Sequence, residues 1–324
     1  MKWLITGGCG FIGCALIAEL LGNASAKHSI AVLDNLTVGT RDNLSALTDF
    51  EEIEGSPDWM VPISLIVADV RDAGAVAKAV AGADVVVHLA ANTGVGPSVE
   101  DPYLDCDTNV RGTLNVLEAC RVHNAGRIVF ASSGAPLGVQ VPPLNEEMAP
   151  RPASPYGASK LAGEGYCSAY FHCFGVETVA LRFGNVYGVG SGHKQSVVAK
   201  FIKEAMAGEA WEIYGNGNQT RDFIYIADLI NAVQRAATTE GVGGEVFQIA
   251  TAAETTVLEM AALLADVLEA EGINRPEIHH APMRDGDVMR NYSDTSKARD
   301  RLGWSANVSL PEGLARTVRY FTAS

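Results

Sequence analysis

The octapeptide TGGCGFIG, residues 6–13, is the segment that most restricts what this 324-residue chain can become. Gly7, Gly10 and Gly13 fall in a G-x-x-G-x-x-G spacing, directly after an apolar run that reads as a strand and at the opening of one that reads as a helix. Glycines at such a junction allow the tight turn and let the backbone approach a pyrophosphate, whose charge then rests on the free N–H groups of the helix start. A plain glycine-rich loop would need neither the strand nor the helix. The same stretch, MKWLITGGCGFIGCALIAELLG, mimics a signal peptide through Lys2, an apolar run and small residues, but the glycines interrupt the run. No segment approaches the length of a membrane span.

Short apolar runs at residues 2–6, 29–34, 63–69, 84–90 and 127–132 alternate with helical stretches at 11–21, 72–81 and 105–124. Continuous rather than alternating hydrophobicity suits parallel strands covered on both faces. The expectation is an α/β chain with a Rossmann-type doubly wound parallel sheet. ETVALRFGNVYG and GEVFQIA extend the pattern, whereas glycine-rich loops and helices at 196–207 and 257–271 suggest a smaller, discontinuous α/β substrate lobe. The expected division is residues 1–180, with 222–250 returning to the sheet, against 181–221 and 251–324.

A formal net charge of −14 argues against nucleic acid or an anionic membrane as the main partner, while a few arginines still suffice to hold a small anion. Six cysteines contain no C-x-x-C pair, so reduced thiols in a cytoplasmic protein, without a metal site, are expected. Asp34 closes the second strand about twenty residues after the glycines. A carboxylate there accepts from adenosine ribose hydroxyls and repels a 2′-phosphate, favouring NAD over NADP; capping the turn in DNLTVG is the other reading. Asp69, ending the third strand, is the corresponding candidate for the adenine amino group.

In SPYGASKLAGEGY, Ser154 is a good N-cap and Pro155 a good first helical residue, which puts Tyr156 and Lys160 one turn apart on one face. A free phenol, with a pKa of about 10, is a poor base at neutral pH. A nearby ammonium and a positively charged nicotinamide both favour phenolate.

TGGCGFIG, HLAA (residues 88–91), NVRGT (109–113), ASS (131–133), YGASK and LRFGNVYG occur in the order found in extended short-chain dehydrogenases/reductases. The chain resembles, over essentially its whole length, the nucleotide-sugar 4-epimerases of the UDP-galactose 4-epimerase type. The resemblance implies a catalytic set of Ser133, Tyr156 and Lys160. Tyr156 takes the proton of the sugar 4-hydroxyl as the C4 hydride passes to NAD, Lys160 binds the nicotinamide ribose and lowers the tyrosine pKa, and Ser133 bonds the same oxygen unless it only ties off its own turn. The 4-keto sugar then turns over and takes the hydride back on its other face. The resemblance also places Phe11, Ile12, Asn35, Val70, Leu89, Ala90 and Ala91 along the cofactor.

For the nucleotide-diphosphate sugar it implies Asn185, Arg221 and Arg284 at the diphosphate and Asp287 at a ribose. Ser196 and Val197 would frame the base beside Tyr214, and Asn291 would lie near the C2 substituent. Arg290 would meet a carboxylate instead if the substrate were a uronate. His193 and Lys194 read as an exposed charged loop. Gly134 and Ala135 stand where related dehydratases carry an Asp-Glu pair and related decarboxylases a glutamate, and Leu137 replaces a tyrosine expected near the sugar. The small residues Gly157, Ala158, Ala162, Gly163 and Gly165 permit close helix packing, and relatives commonly dimerise through this helix and the one at 109–120, so a homodimer is expected. A dehydrogenase or reductase, a UDP-glucuronate decarboxylase and a non-catalytic dinucleotide sensor are the competing readings.

Overall fold

Burial on both faces explains the first strand, Lys2–Thr6: Trp3 and Ile5 enter one apolar cluster and Leu4 the opposite one. The computed structural model describes residues 1–22, 27–283 and 288–323. Within them an eight-stranded sheet runs in the order Glu245–Ile249, Thr178–Phe183, Arg127–Ser133, Val85–His88, Lys2–Thr6, Ser29–Asp34, Ile63–Val67, Glu51–Glu52. Every neighbouring pair is parallel. The strand order therefore reverses beside Lys2–Thr6, whose last residue is in register with both Leu33 and His88. That reversal opens a crevice at the carboxyl ends of the strands, and the glycine loop starts there.

The expected strands at 63–69 and 84–90 end sooner, at Val67 and His88. Beyond His88 the chain turns over the glycine loop, with Ala90 N–H donating to Thr6 Oγ1 at 3.2 Å. The single helix expected over 105–124 is instead a short turn (Pro102–Cys106), a wide π turn (Asp107–Arg111) and a regular helix (Gly112–His123). The wide turn carries the buried Asn109, whose amide reaches Asn92 O, Asp105 Oδ1 and Ser159 Oγ at 2.9, 2.9 and 3.1 Å.

Ser154 caps the Pro155–Phe174 helix through Gly157 N–H at 3.1 Å, and Gly175 closes it at φ +69°. Added Cβ atoms at Gly157 and Gly163 would lie 2.7 Å from Ala135 O and 2.3 Å from Phe130 Cζ, so these glycines serve packing within the chain. Gly165 has open space beside it.

Beyond Phe183 the chain adds three two-stranded pairings outside the main sheet. Asn185–Tyr187 pairs with Phe223–Tyr225, Thr220–Arg221 with Thr255–Thr256, and Trp211–Tyr214 with Ile278–Ala281. Helices Val197–Met206, Val257–Ala270 and Leu310–Ala323 surround them. Between these pieces Glu245–Ile249 joins the main sheet, and the Ile226–Thr238 helix packs on the Phe11–Gly22 helix.

Candidate active site

The glycine loop is a cradle that side chains would fill. Gly7 has φ +69°, and a Cβ on it would lie 2.8 Å from Ala90 N; one on Gly13 would lie 2.5 Å from Gly8 Cα. Gly10 N–H turns back onto Gly7 O at 3.1 Å. Two glycines outside the expected set are equally constrained: a Cβ at Gly8 would meet Val32 at 2.7 Å, and one at Gly39 would meet the Cys9 carbonyl at 2.4 Å. The GG doublet signals the first; only the tertiary contact reveals the second. A bare backbone ring around a helix start suits a pyrophosphate.

Asp34 caps its turn, as the plainer reading of DNLTVG has it, and also closes the glycine loop. Its oxygens accept from Leu36 N–H at 2.9 Å and Cys9 N–H at 3.0 Å, leaving lone pairs for a ribose hydroxyl. Burial pushes its pKa up.

Asp69 is more committed. Arg71 N–H and Nε donate to Oδ1 at 2.8 and 2.9 Å, and Arg71 Nη2 and Asn35 Nδ2 to Oδ2 at 2.9 and 2.8 Å. The guanidinium holds this carboxyl well below its usual range. All four lone-pair positions are filled, so an adenine amino group, itself a donor, would have to displace one of these partners.

Asn35 is exposed and also accepts from Thr37. Val70 is buried against Gly112, while Leu89, Ala90 and Ala91 lie half-buried beside Gly7.

Ser133, at the end of its strand, accepts from Ala135 N–H at 3.2 Å and hydrogen-bonds the Tyr156 phenol. The turn-tying role weighed for it is present, and its hydroxyl also lies beside the phenol. Lys160 is only 4% exposed; its ammonium donates to Ala131 O at 2.8 Å and lies 5.9 Å from the Tyr156 ring centroid and 5.1 Å from that of Phe130. Burial pulls Lys160 down to about 8. The Tyr156 phenol moves the other way, to about 12, because burial outweighs the Ser133 hydrogen bond and the charge of Asp105 opposes ionisation as well. The expected depression by Lys160 is thus not realised in the protein alone: the ammonium faces a carbonyl and the aromatic rings.

Behind the pair, His88 sits between Thr6 Oγ1 at 2.7 Å and Thr113 Oγ1 at 3.0 Å; burial, then Lys160, pushes it down to about 3. Glu164, one turn beyond Lys160, accepts from Ser132 at 2.5 Å and forms a two-pronged pair with Arg182 at 2.8 and 2.7 Å. Arg182 is in register with both Ser132 and Gln248, so the sheet aligns this buried polar row.

A cleft of about 480 Å³ joins Ser133 and Tyr156 to the smaller lobe. Phe11 and Ile12 line it from the glycine-loop helix, and Asn185, Ser196, Val197, Tyr214 and Arg221 from the lobe. Asn185 is positioned by its N–H to Asp222 O at 2.8 Å. Arg221 uses Nη1 to hold Thr220 O and Val288 O at 2.8 and 2.7 Å. Ser196 begins the Val197–Met206 helix, and its buried hydroxyl has no hydrogen-bond partner among the described residues.

Several expected residues lie elsewhere than the sequence suggests or outside the described residues. Lys194 is not part of an exposed loop: it is half-buried in the cleft wall and burial lowers its pKa, whereas His193 is exposed. Asn291 does not line the cleft; it is half-buried with its N–H on Thr220 Oγ1 at 3.3 Å. Leu137 is wholly buried in the core and forms no part of the cleft wall. Arg284 and Asp287 lie outside the described residues. Arg290 is engaged by Glu254 at 2.7 and 2.8 Å. Gln195, Lys200 and Gln219 also line the cleft, and nothing in their sequence spacing announced them.

Comparison with known proteins is consistent along the chain. The family model described as NAD dependent epimerase/dehydratase family matches residues 3–250. A UDP-glucose 4-epimerase of Mycolicibacterium smegmatis is 35% identical over 99% of this chain and 98% of its own length. The UDP-glucose 4-epimerase of Thermotoga maritima, solved with UDP-glucose, is 32% identical with a TM-score of 0.87, covering 100% of this chain and 99% of its own. A UDP-glucuronic acid 4-epimerase of Bacillus cereus, solved with UDP-glucuronic acid and NAD, is 28% identical with a TM-score of 0.87 over 100% and 99%.

Proposed function

The chain belongs to the NAD dependent epimerase/dehydratase family, and on that premise we propose that it inverts C4 of a nucleotide-diphosphate sugar through a transient 4-keto intermediate, with NAD as resident cofactor. The observation that carries this reading is the shared cleft: Tyr156 and Ser133 open into the same space as Asn185 and Arg221. An acid–base phenol and a diphosphate clamp are thereby within one substrate's reach. NAD, held by the glycine loop and Asp34, would supply the hydride acceptor and donor, and its oxidised form would be positively charged. The Tyr156 phenol, at about 12 in the protein alone, would accept the 4-hydroxyl proton once a nearby positive charge lowered it. Ser133 holds the same sugar oxygen, and Lys160 keeps a positive charge behind the ring.

The cleft between the sheet and the smaller lobe would hold the keto sugar while it turns to be reduced from the other face. Gly134 and Ala135 offer no carboxylate, which favours epimerisation over loss of water across C5–C6. The engagement of Arg290 by Glu254 favours a neutral sugar over a uronate.

Residues 1–180 with 222–250 act in this reading as the NAD domain, and 181–221 with 251–324 as the sugar lobe. A cytoplasmic homodimer belongs to the same proposal. The exposed Ala158 and Tyr166 support pairing through the Pro155–Phe174 helix; Val99 and Tyr103, 62% and 88% exposed, precede the 109–120 segment expected to be its partner.

The test is incubation with UDP-, GDP- and TDP-sugars without added NAD, followed by NMR of the sugar and absorbance at the NADH band. Isomerised sugar without accumulating NADH is expected. Stoichiometric NADH points instead to a dehydrogenase, carbon dioxide to a decarboxylase, and no conversion of any sugar to a sensor.

A further inference from the structure

We propose that Lys194 is a further substrate-binding residue: its ammonium takes the diphosphate of the nucleotide sugar together with Arg221. This deepens the epimerase reading and rests on it for what occupies the cleft. Lys194 lies between the Asn185–Tyr187 strand and the Val197–Met206 helix, and it lines the cleft that Asn185, Arg221 and Tyr156 also line. Its segment is tied down on both sides. The buried Ser191 donates its hydroxyl to Gly188 O at 2.6 Å, Lys194 N–H donates to Ser191 O at 2.9 Å, and Lys203 Nζ donates to Lys194 O at 2.8 Å. Gly188, at φ +143°, leaves no room for a side chain, since a Cβ there would lie 2.5 Å from Ile226 Cγ2. The backbone around Lys194 is thereby fixed, and the side chain leaves it from a set position at the cleft.

Among the described residues no carboxylate pairs with the Lys194 ammonium and no side-chain hydrogen bond engages it. A half-buried cation without a counter-charge is costly, and a bound anion offsets that cost. The other charged residues described around the cleft are Lys200, Glu212 and Arg221. Lys200 is paired with Glu204 at 3.4 Å, Arg221 holds two main-chain carbonyls, and Glu212 is exposed. Three cations against one carboxylate thus line this cleft in a chain whose formal net charge is −14. Such a local reversal of sign selects an anion. The Ser196 hydroxyl, buried and without a partner among the described residues, is a further donor in the same wall. A diphosphate presents more charged acceptor oxygens than Arg221 and Asn185 can fill, and an ammonium meets them as a point charge. The plainer alternative is a lysine stem that only packs on the wall with its head in water.

The discriminating variant is Lys194→Met, which keeps an unbranched stem and removes the charge. Calorimetry of the NAD-loaded protein with UDP and with uridine reads the contact without turnover; TDP with thymidine and GDP with guanosine are the matching pairs for other bases. The diphosphate binds about tenfold or more weakly in the variant, the loss of a charge-assisted hydrogen bond, while nucleoside binding, NAD retention and Tm stay as in the wild type. Lys194→Arg, which keeps the charge, recovers most of that affinity. Unchanged diphosphate affinity in Lys194→Met overturns the proposal. So does an equal loss for diphosphate and nucleoside, which makes the side chain a packing element, or a loss of NAD alone, which gives the cation to the cofactor. A second readout uses the wild-type protein: acetylation of Lys194 by acetic anhydride, followed by mass spectrometry, slows with UDP bound and not with uridine. Equal labelling with both overturns the proposal even if the variant does not fold, as does a wild-type protein that binds none of the three diphosphates. A protein that binds UDP through Lys194 but isomerises no sugar refutes the epimerase reading alone.

Discussion

Burial drives Tyr156 up to about 12 and Lys160 down to about 8, so the charges the chemistry needs are set by what approaches them. Tyr156→Phe is expected to lower kcat by about 10²–10⁴-fold while leaving co-purified NAD in place, read by turnover and by cofactor absorbance. Retained turnover would remove the phenol from the mechanism. His88 supplies a second test, of stability. Its unfolded form takes up a proton near 6.5 and its folded form only near 3, so between those values the unfolded state holds more protons and stability falls as pH is lowered. One such proton is worth about 1.4 kcal/mol per pH unit. Urea midpoints should drop from pH 7 toward pH 5, and His88→Asn should flatten that slope. The Tyr156–Lys160 spacing was legible in sequence because a helix start fixes it, and Ser133 came from the family resemblance. The place of Lys194 in the cleft wall was not, since it depends on what packs around it.

The Pro155–Phe174 helix carries Tyr156 and Lys160 together with the Glu164–Arg182 bridge to the sheet. Breaking a buried pair on one side leaves an uncompensated charge, so Glu164→Gln should cost about 3–5 kcal/mol in denaturant unfolding. Replacing both partners, as Glu164→Leu with Arg182→Met, should recover most of that loss. A double variant as unstable as the single one would show that the hydrogen bond from Ser132, not the charge balance, carries the effect. Helix and strand positions were readable from caps, glycines and apolar runs. The break of the 105–124 helix into a wide turn was not: Asn109 there reaches Asn92 and Ser159 in other segments as well as Asp105 in its own, and local propensity cannot register the distant two.

Across the molecule, the cleft needs both halves of the chain, since Tyr156 comes from the sheet side and Arg221 from the smaller lobe. Arg221→Ala should raise KM for a nucleotide-diphosphate sugar by about tenfold or more, the loss of a charge-assisted hydrogen bond, with NAD retention unchanged. An unaltered KM would take the guanidinium out of substrate binding.

The sequence by itself determined the strand–glycine loop–helix start, the parallel sheet and the tyrosine–lysine spacing, because each depends on residues close together in the chain. The tertiary structure alone decided that Asp69 is already saturated by Arg71 and Asn35, that Lys194 turns into the cleft, and that Asn291 stays out of it. Apart from Arg71, two residues from Asp69, the neighbours that fill lone pairs and exclude solvent at these positions are distant in sequence, and those meet only once the chain has closed on itself.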